Sequence, residues 1–544
     1  MSTRNVYVVG GGLAGMTVAK ELMQRANDAV NVTILESTQR LGGKAGADTK
    51  NGNDIEHGYH VFPGWYANTR ALLKELNVLE NLVDIRQIHY LSTDGGLITI
   101  RDAPWGYEGI RNLLHDIFHG PISWREMLLL MNLMLDLANE PWRYKSFLDL
   151  TTANAFLGSR LLATEKIAKL QHCVALQGVS IASYELSAMT LQKVTRAWFR
   201  YPSPIFSIFK GNLQHEFITP FENLLRKSNV NLSMGKRVCK LHISSDNAVG
   251  CLEFMDGTFS GQPDDIYVLA TPPEVTVNFV NDTICDIEQD SGSQEGLLSE
   301  LTNLHSAPMA AMYLTLRRPP TLKGGAELPR EHVVLRDSQF LTSFIDLSNF
   351  WEGLRDAPTL SIIASNMAPV LTICDPPRST PDIQPLATPA AQFILAEMRE
   401  FLDGLEDANI DAQNSYARFN LNEPLFLNTV GSWLYRPRCQ TRLGNLYIAG
   451  DYCRTEADLT TMESAVISGL STANRILSAI GRPPRPVLSL KTDAGWNPWR
   501  NYPRLPLRFL QWSAFPLMLV LFLSLAFTRH EDGRFRDALR AFFR

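Results

Sequence analysis

No Cys-x-x-Cys pair occurs in the chain. Its seven cysteines, at 173, 239, 251, 285, 374, 439 and 453, stand apart, which excludes a zinc-ribbon framework and a disulfide scaffold and suits a reducing compartment. A long basic block is also missing and the net charge is −5, so nucleic acid is not an expected partner. Neither a Ser-His-Asp set, a carboxylate pair nor a metal-ligand cluster can be picked out, and no internal repeat is evident. The first strand begins after four residues, leaving no room for a secretory signal. What remains is a globular composition, 45% hydrophobic and 20% charged, over 544 residues. That length exceeds a single core and predicts two domains, or one with additions.

The most informative stretch opens the chain. Asn5-Val6-Tyr7-Val8-Val9 reads as a strand, Gly10-Gly11-Gly12-Leu13-Ala14-Gly15 follows, and a helical pattern continues from Met16. Strand, G-x-G-x-x-G turn and helix are the order a dinucleotide fold requires. Gly10 permits the sharp turn, Gly12 lets a pyrophosphate approach the backbone, and Gly15 lets the helix pack on the strand, with Leu13 and Ala14 supplying amides at the helix start. A second strand, Val32-Thr33-Ile34-Leu35, ends in Glu36, about twenty residues past the last glycine, the spacing of a carboxylate that holds ribose hydroxyls. Soon after come Arg40, Gly42, Gly43 and Lys44, where amides and cations can meet phosphate oxygens. An NAD-dependent dehydrogenase has no need of this second turn, whereas flavoproteins of the glutathione-reductase type have it.

The next segment, Glu56-His57-Gly58-Tyr59-His60-Val61-Phe62, carries two histidines without further ligands, which makes a poor metal site; histidine and aromatic edges beside a flavin are the better reading. Here Arg40-x-Gly42-Gly43-Lys44 resembles the R-x-G-G-R segment of the FAD-dependent amine-oxidase superfamily, with Lys in place of Arg. Glu56 to Phe62 resembles the E-x-G-x-H-x-F segment of plant- and cyanobacterial-type carotene (phytoene and zeta-carotene) desaturases. A third likeness closes the case: Ala449-Gly450-Asp451-Tyr452, then Thr461-Met462-Glu463-Ser464-Ala465-Val466-Ile467-Ser468-Gly469, is similar to the desaturase A-G-D-aromatic-T and S-M-E-G-A-V-x-S-G pattern, departing at Cys453 and Ser464. The resemblance implies FAD as cofactor, held by Gly10, Gly12, Leu13, Ala14, Gly15, Glu36, Arg40, Gly42, Gly43, Lys44, Gly58, Tyr59, His60, Val238 (whose backbone would meet the adenine), Gly450, Asp451 and Met462. It implies no catalytic side chain and no metal.

The expected fold class is α/β: a Rossmann-type, glutathione-reductase-like FAD-binding domain, a discontinuous α+β substrate domain and a C-terminal hydrophobic helix. The FAD-binding parts are set at 1–100, 206–282 and 425–480, the substrate domain at 101–205 (helical) and 283–424 (a sheet), a linker at 481–508 and a tail at 509–544. Strand-like runs at 230–233, 236–243, 249–254 and 266–270, joined by short Gly/Asp turns, read as an antiparallel hairpin added to the nucleotide sheet. The Met- and Leu-rich run 127–135 suits a core helix first; the other reading is the wall of a channel for a long apolar substrate or a surface dipping into a membrane. In the tail, 509–527 is nineteen uncharged residues, just long enough to cross a bilayer, with Trp496, Trp499 and Trp512 suited to its interface and an amphipathic ending at 535–543. A buried C-terminal helix is the competing reading.

Together these imply a membrane-associated FAD-dependent oxidoreductase acting on a long isoprenoid or carotenoid-like substrate, by hydride transfer to flavin N5 in desaturation or a related isomerisation. A quinone is the expected oxidant, and the FAD domain is placed in a reducing, cytoplasmic or plastid-like compartment. The alternatives are an amine-oxidase-like enzyme, a hydroxysqualene dehydroxylase-like enzyme, and a non-catalytic flavin-bearing membrane protein.

Overall fold

The computed structural model describes residues 3–50, 53–119, 123–139, 145–158, 164–290, 297–374, 382–490 and 504–528. Valine-rich segments that are apolar on both faces assemble a five-stranded parallel sheet, as strands covered on both sides must. Its order is Asn231–Met234, Val30–Glu36, Arg4–Val9, Ile266–Leu269 and Leu446–Ile448. The register sets Val9 beside Leu35 and Leu269, and Leu269 beside Ile448. Gly10, Glu36, Ala270 and Gly450 therefore leave the sheet at the same edge, although they come from positions up to 440 residues apart in the chain. That carboxyl edge is where such sheets bind ligands. Helix Leu13–Ala26 is buried between the sheet and helix Met462–Ala479. The two helices touch at Gly469, where a Cβ would lie 2.6 Å from the Ala14 carbonyl oxygen.

A second, eight-stranded sheet runs Ile383–Gln384, Tyr416–Phe419, Ala310–Thr315, Thr359–Ala364, Thr342–Asp346, His332–Leu335, Gln87–Leu91, Leu97–Arg101. Its period-two alternation makes two different faces. Met312, Leu314, Val333, Phe344, Leu360 and Ile362 pack on helix Pro389–Phe401. The opposite face joins Ala311, Tyr313, Val334, Ile345, Ile88 and Tyr90 to Tyr59, Phe206, and Met127 and Leu170 of the helical layer. Strands 87–91 and 97–101 thus belong to this sheet. Alternation alone cannot say which sheet a strand joins.

The hairpin expectation is corrected. Val238–Ile243 and Val249–Phe254 pair with each other and with Phe259–Ser260 in a separate three-stranded sheet, and the residues added to the nucleotide sheet are Asn231–Met234. The turn at Gly235, φ +67°, is what separates them.

In the helical layer, helix Trp124–Asn139 is apolar nearly all round because it is covered twice. Met127, Leu130 and Met131 face the second sheet, and Leu129 and Leu133 face Met518, Leu521, Phe522 and Leu525 of helix Arg504–Thr528. The tail helix starts five residues before the expected 509, since Pro506 is tolerated in a first turn. Among the described residues no helix is long and apolar enough to cross a membrane. The opposite side of the tail helix exposes Trp512, Phe515, Leu517 and Val520. Trp496, Trp499 and the 535–543 stretch lie outside the described residues. The start of the expected linker is laid on the nucleotide domain: the side-chain amides of Asn474 and Asn68 each exchange two hydrogen bonds with the backbone, of Arg485 and Leu488 respectively, at 2.7–2.9 Å.

Candidate flavin site and the apolar layer beside it

Two glycine turns, about thirty residues apart in the chain, are bonded to one another. The Gly42 amide donates to Gly11 O at 2.8 Å, and Gly12 and Gly42 form an isolated parallel bridge. Gly10 (φ +110°) and Gly42 (φ +109°) occupy conformations open to glycine. Around Gly12 the geometry differs: its backbone is extended (φ −74°), no side chain caps the helix it begins, and a Cβ there would meet no atom within 4 Å. An uncapped helix N-terminus over a glycine open on one side fits a pyrophosphate. Beside it, Glu36 is nearly buried; its Oε2 accepts the Gly11 amide at 2.8 Å and its Oε1 the Thr38 amide and hydroxyl at 2.8 and 2.9 Å. These bonds fix the carboxylate at the strand end and leave Oε2 a lone pair for a ribose hydroxyl. Lys236 N donates to Glu36 O at 2.8 Å, which brings Val238 to the same corner.

Arg40 and Lys44 act mainly as braces. Arg40 bonds Asp48 at 2.7 Å and Gly43 O at 3.1 Å. The Lys44 ammonium bonds the Pro424 carbonyl and lies 3.6 Å from Glu274. Pro424 and Glu274 stand on the two segments that connect the sheets, so Lys44 ties both to the second glycine turn.

The closing segment is shaped by a residue that no local pattern marks. Arg436, 1% exposed, points its guanidinium into the turn after Gly450: Nε donates to Tyr452 O (3.0 Å), Nη1 to Asp458 O (2.6 Å), and Nη2 to Asp451 O (2.5 Å) and Cys453 O (3.1 Å). One cation collects four carbonyl oxygens that have no strand or helix to satisfy them. Asp458, held at φ +48°, pairs with the buried Lys193 ammonium from helix Ala188–Arg200 and accepts from Trp433 Nε1 at 3.0 Å. Asp451 is pushed above the usual carboxylate range by burial, with Lys44 and Arg436 opposing. Burial raises the Cys453 thiol to about 12, so the departure from the desaturase pattern places an inert thiol there. Glu463, next to Met462 in the first turn of its helix, turns back to accept the Asn68 and Thr69 amides at 2.9 and 2.8 Å, and so caps helix Ala67–Glu75 from across the domain.

From the glycine turns the path runs to the second sheet. Nε2 of His60 lies 3.3 Å from Lys44 O. Tyr59 reaches the sheet, its hydroxyl 2.6 Å from His332 Nε2 and 2.7 Å from Ser343 Oγ. Gly58 (φ +139°) sits on Ile363 and Ala311, which a Cβ would meet at 3.1 and 3.6 Å. His57 Nε2 lies 2.6 Å from Glu423 Oε2 and 2.8 Å from Arg418 Nη2. Only one of these can be its partner: the N–H goes to the carboxylate, and Arg418 is satisfied by Asp48 (2.7 Å) and Ile55 O (3.0 Å). Accepting from His57 holds Glu423 down at about 2, while burial keeps His57 neutral. Among the described residues no cluster of His, Cys, Asp or Glu could hold a metal ion.

Burial also lowers His60 to about 4 and His332 to about 3, from 6.5. In the unfolded chain both imidazoles take a proton near 6.5; in the fold they stay neutral well below it. The unfolded state thus binds more protons between pH 6.5 and the folded values, so stability is complete above 6.5 and falls as pH drops. The slope is roughly 1.4 kcal/mol per pH unit for each histidine. Urea midpoints at pH 7, 6 and 5 check this, and His332→Gln flattens the decline if the assignment holds.

Of the sequence-derived residues, Gly10, Gly12, Leu13, Ala14, Gly15, Glu36, Gly42, Gly43, Val238, Gly450 and Asp451 gather at the carboxyl edge of the parallel sheet. Met462 begins the helix running from it, and Lys44 and His60 link that edge to Gly58 and Tyr59 on the second sheet. Arg40 lies behind the turn. Arg436, Lys193, Asp458 and Glu463 were not singled out beforehand; only the Glu in the third likeness could have pointed to one of them.

Residues 13–477 match the family described as flavin containing amine oxidoreductase. A probable zeta-carotene desaturase from Synechococcus elongatus is 24% identical over 506 residues, 87% of this chain and 98% of that protein. A 15-cis-phytoene desaturase from the same organism is 22% identical over 485 residues, 87% and 96%. Among solved structures, putrescine oxidase bound to putrescine superposes with a TM-score of 0.62 at 15% identity, covering 88% of this chain and 99% of that one. Cyclohexylamine oxidase from Brevibacterium oxydans gives 0.57 at 12%, covering 88% and 100%. These structures share the fold.

Proposed function

We propose that this chain, which belongs to the flavin containing amine oxidoreductase family and is an FAD-dependent oxidoreductase, oxidises a long isoprenoid while lying on a membrane. The observation that carries the reading is the apolar layer. It begins at Tyr59, one residue from His60 at the glycine turns, continues over Ile88, Tyr90, Val334 and Ile345, and ends at Met127 and Ile117 on the helical layer. Helix Tyr107–His119, which contributes Ile117, turns an apolar face outward: Ile110, Leu114 and Phe118 are exposed, and Trp105 and Tyr107 at its start are 82% and 81% exposed. An exposed row of this kind, with Trp and Tyr at one end, suits insertion at a lipid surface. Trp512, Phe515, Leu517 and Val520 extend the apolar exposure on the tail helix.

When bound, FAD supplies hydride acceptance at N5. The residues placed to hold it are the two glycine turns, Glu36, Val238, and the Gly450–Asp451 turn with the start of helix Met462–Ala479. The chain's own part is to orient substrate and exclude water. Burial lifts the Tyr59 hydroxyl far above neutrality and keeps His60 and His332 uncharged, so all three stay in their neutral forms at neutral pH. Neutral groups of this kind suit contact with an unactivated carbon chain. A quinone dissolved in the same bilayer is the proposed acceptor, and the six described cysteines, all free, are consistent with a reducing compartment.

The test is anaerobic incubation of flavin-loaded protein with isoprenoid polyenes in liposomes. Bleaching of the flavin band with formation of new double bonds is expected; bleaching by amines alone contradicts the reading. In liposome flotation the full chain is expected to float, and Phe118→Asp with Trp105→Ser to reduce the bound fraction about tenfold.

A further inference from the structure

Charge is divided unevenly along the chain. Of its 51 basic and 56 acidic residues, the stretch 496–544 takes eight basic, all arginine, and three acidic, a balance of +5; residues 1–495 keep 43 against 53, a balance of −10. Arg500, Arg504 and Arg508 precede the uncharged run that starts at Phe509, and Arg529 follows it. Arg534, Arg536, Arg540 and Arg544 share the last eleven residues with a single acid, Asp537. All of this lies beyond residue 477, where the family match ends.

Helix Arg504–Thr528, between the two groups of arginines, has two faces. Met518, Leu521, Phe522 and Leu525 are buried on Leu129 and Leu133 of helix Trp124–Asn139 and on Ile167, and Ser524 Oγ accepts from Arg125 Nη1 at 3.3 Å. Trp512, Phe515 and Val520 stand on the opposite side, 71%, 47% and 61% exposed. A helix that crosses a bilayer needs lipid or other spanning helices all round it for about 20 residues. Helix Trp124–Asn139 cannot accompany it across, because Met127, Leu130 and Met131 on its far side are seated on the second sheet. The chain is also fastened shortly before the tail: Leu490 is buried, and Ser489 Oγ and the Leu490 amide donate to Glu456 at 2.7 and 2.9 Å.

We infer that the tail helix lies in the plane of an anionic lipid surface, with its exposed face in the acyl boundary and the flanking arginines on lipid phosphates. The inference rests on the membrane reading above and adds to it the charge of the partner and the orientation of the helix. Negative headgroups attract the cationic segment and repel the acidic body, so the division of charge turns one side of the protein to the membrane. Arginine suits the task, since its planar fork pairs with two phosphate oxygens at once.

The test uses the flavin-loaded full chain with vesicles of phosphatidylcholine, alone or with roughly a third phosphatidylglycerol. Wild type is expected to bind the anionic vesicles about tenfold or more tightly than the neutral ones, and raising salt from about 0.1 to about 0.5 M should remove most of that difference. Arg534→Gln, Arg536→Gln, Arg540→Gln and Arg544→Gln together should bring the two affinities within about twofold, with flavin content and thermal midpoint unchanged. Protease added outside sealed vesicles should remove tags from both the N- and the C-terminus; a protected C-terminal tag overturns the in-plane placement. Equal affinity for the two vesicles, or a preference that survives the four substitutions, overturns the inference and leaves the membrane reading standing. A dimer in vesicle-free buffer that Phe515→Asp dissociates without weakening vesicle binding assigns the exposed face to a second copy and overturns it as well. A chain that floats with neither vesicle ends both readings.

Discussion

Gly12→Val is expected to give a folded but colourless protein. The backbone at Gly12 is extended, at φ −74°, a conformation open to any residue, and a Cβ there meets nothing within 4 Å. Apo stability should stay within about 0.5 kcal/mol of wild type. A branched side chain at this point stands where a pyrophosphate must reach the amides, so FAD affinity should fall more than a hundredfold, about 3 kcal/mol. Gly15 is the control with the opposite signature. A Cβ there would lie 2.1 Å from Gly10 O and 3.1 Å from Val8 Cγ1 and Ala270 Cβ, so Gly15→Ala forces the helix off the sheet. It should lose about 3 kcal/mol of apo stability as well as flavin. Denaturant unfolding of the apo proteins beside FAD titration separates the two, and a Gly12→Val protein that retains flavin contradicts the assignment of the turn.

Arg436→Met is expected to have the largest effect on stability. Met fills much of the space but donates nothing, so four carbonyl oxygens of the 451–458 turn lose this donor, and of them Asp458 O keeps Asn428 Nδ2 at 3.0 Å. Asp149, wholly buried nearby and already lifted to about 7 by burial against the pull of Arg436, loses its neighbouring cation, and Asp458 keeps Lys193 as its ion-pair partner. Removing one partner from a buried charged cluster costs about 3–5 kcal/mol. Because the turn begins at Gly450 and Asp451, flavin retention should fall too. Arg436→Lys recovers the charge but spans fewer carbonyls, so it should land between the two. A Met variant as stable as wild type would show the turn to be held by something else.

How much of this was legible beforehand follows from how local each feature is. Gly10, Gly12, Gly15 and Glu36 are readable because strand, turn and helix are contiguous, and the spacing itself encodes the geometry. Asp451 was readable for the same reason. The Arg436 clamp, the Glu463 cap on helix Ala67–Glu75 and the Lys193–Asp458 pair join residues 15 to 395 positions apart, and side chains of these types are ordinary surface residues by pattern. The strands at 230–254 were read as one addition to the nucleotide sheet, where only Asn231–Met234 joins it and Val238–Phe254 forms a sheet of its own. The strands were visible and their neighbours were not. The tail was read by counting uncharged residues; its partner, helix Trp124–Asn139, was hidden in a run apolar on every side.

The central claim is that three separated segments, the two opening glycine turns, the Val238 corner and the Gly450–Asp451 turn, close on one FAD. The most direct measurement is the flavin content of protein purified from riboflavin-replete cells, released by denaturation and identified. One equivalent of FAD per chain is expected, lost in Gly12→Val while the fold persists. Colourless wild-type protein, or flavin held equally well by that variant, would contradict it.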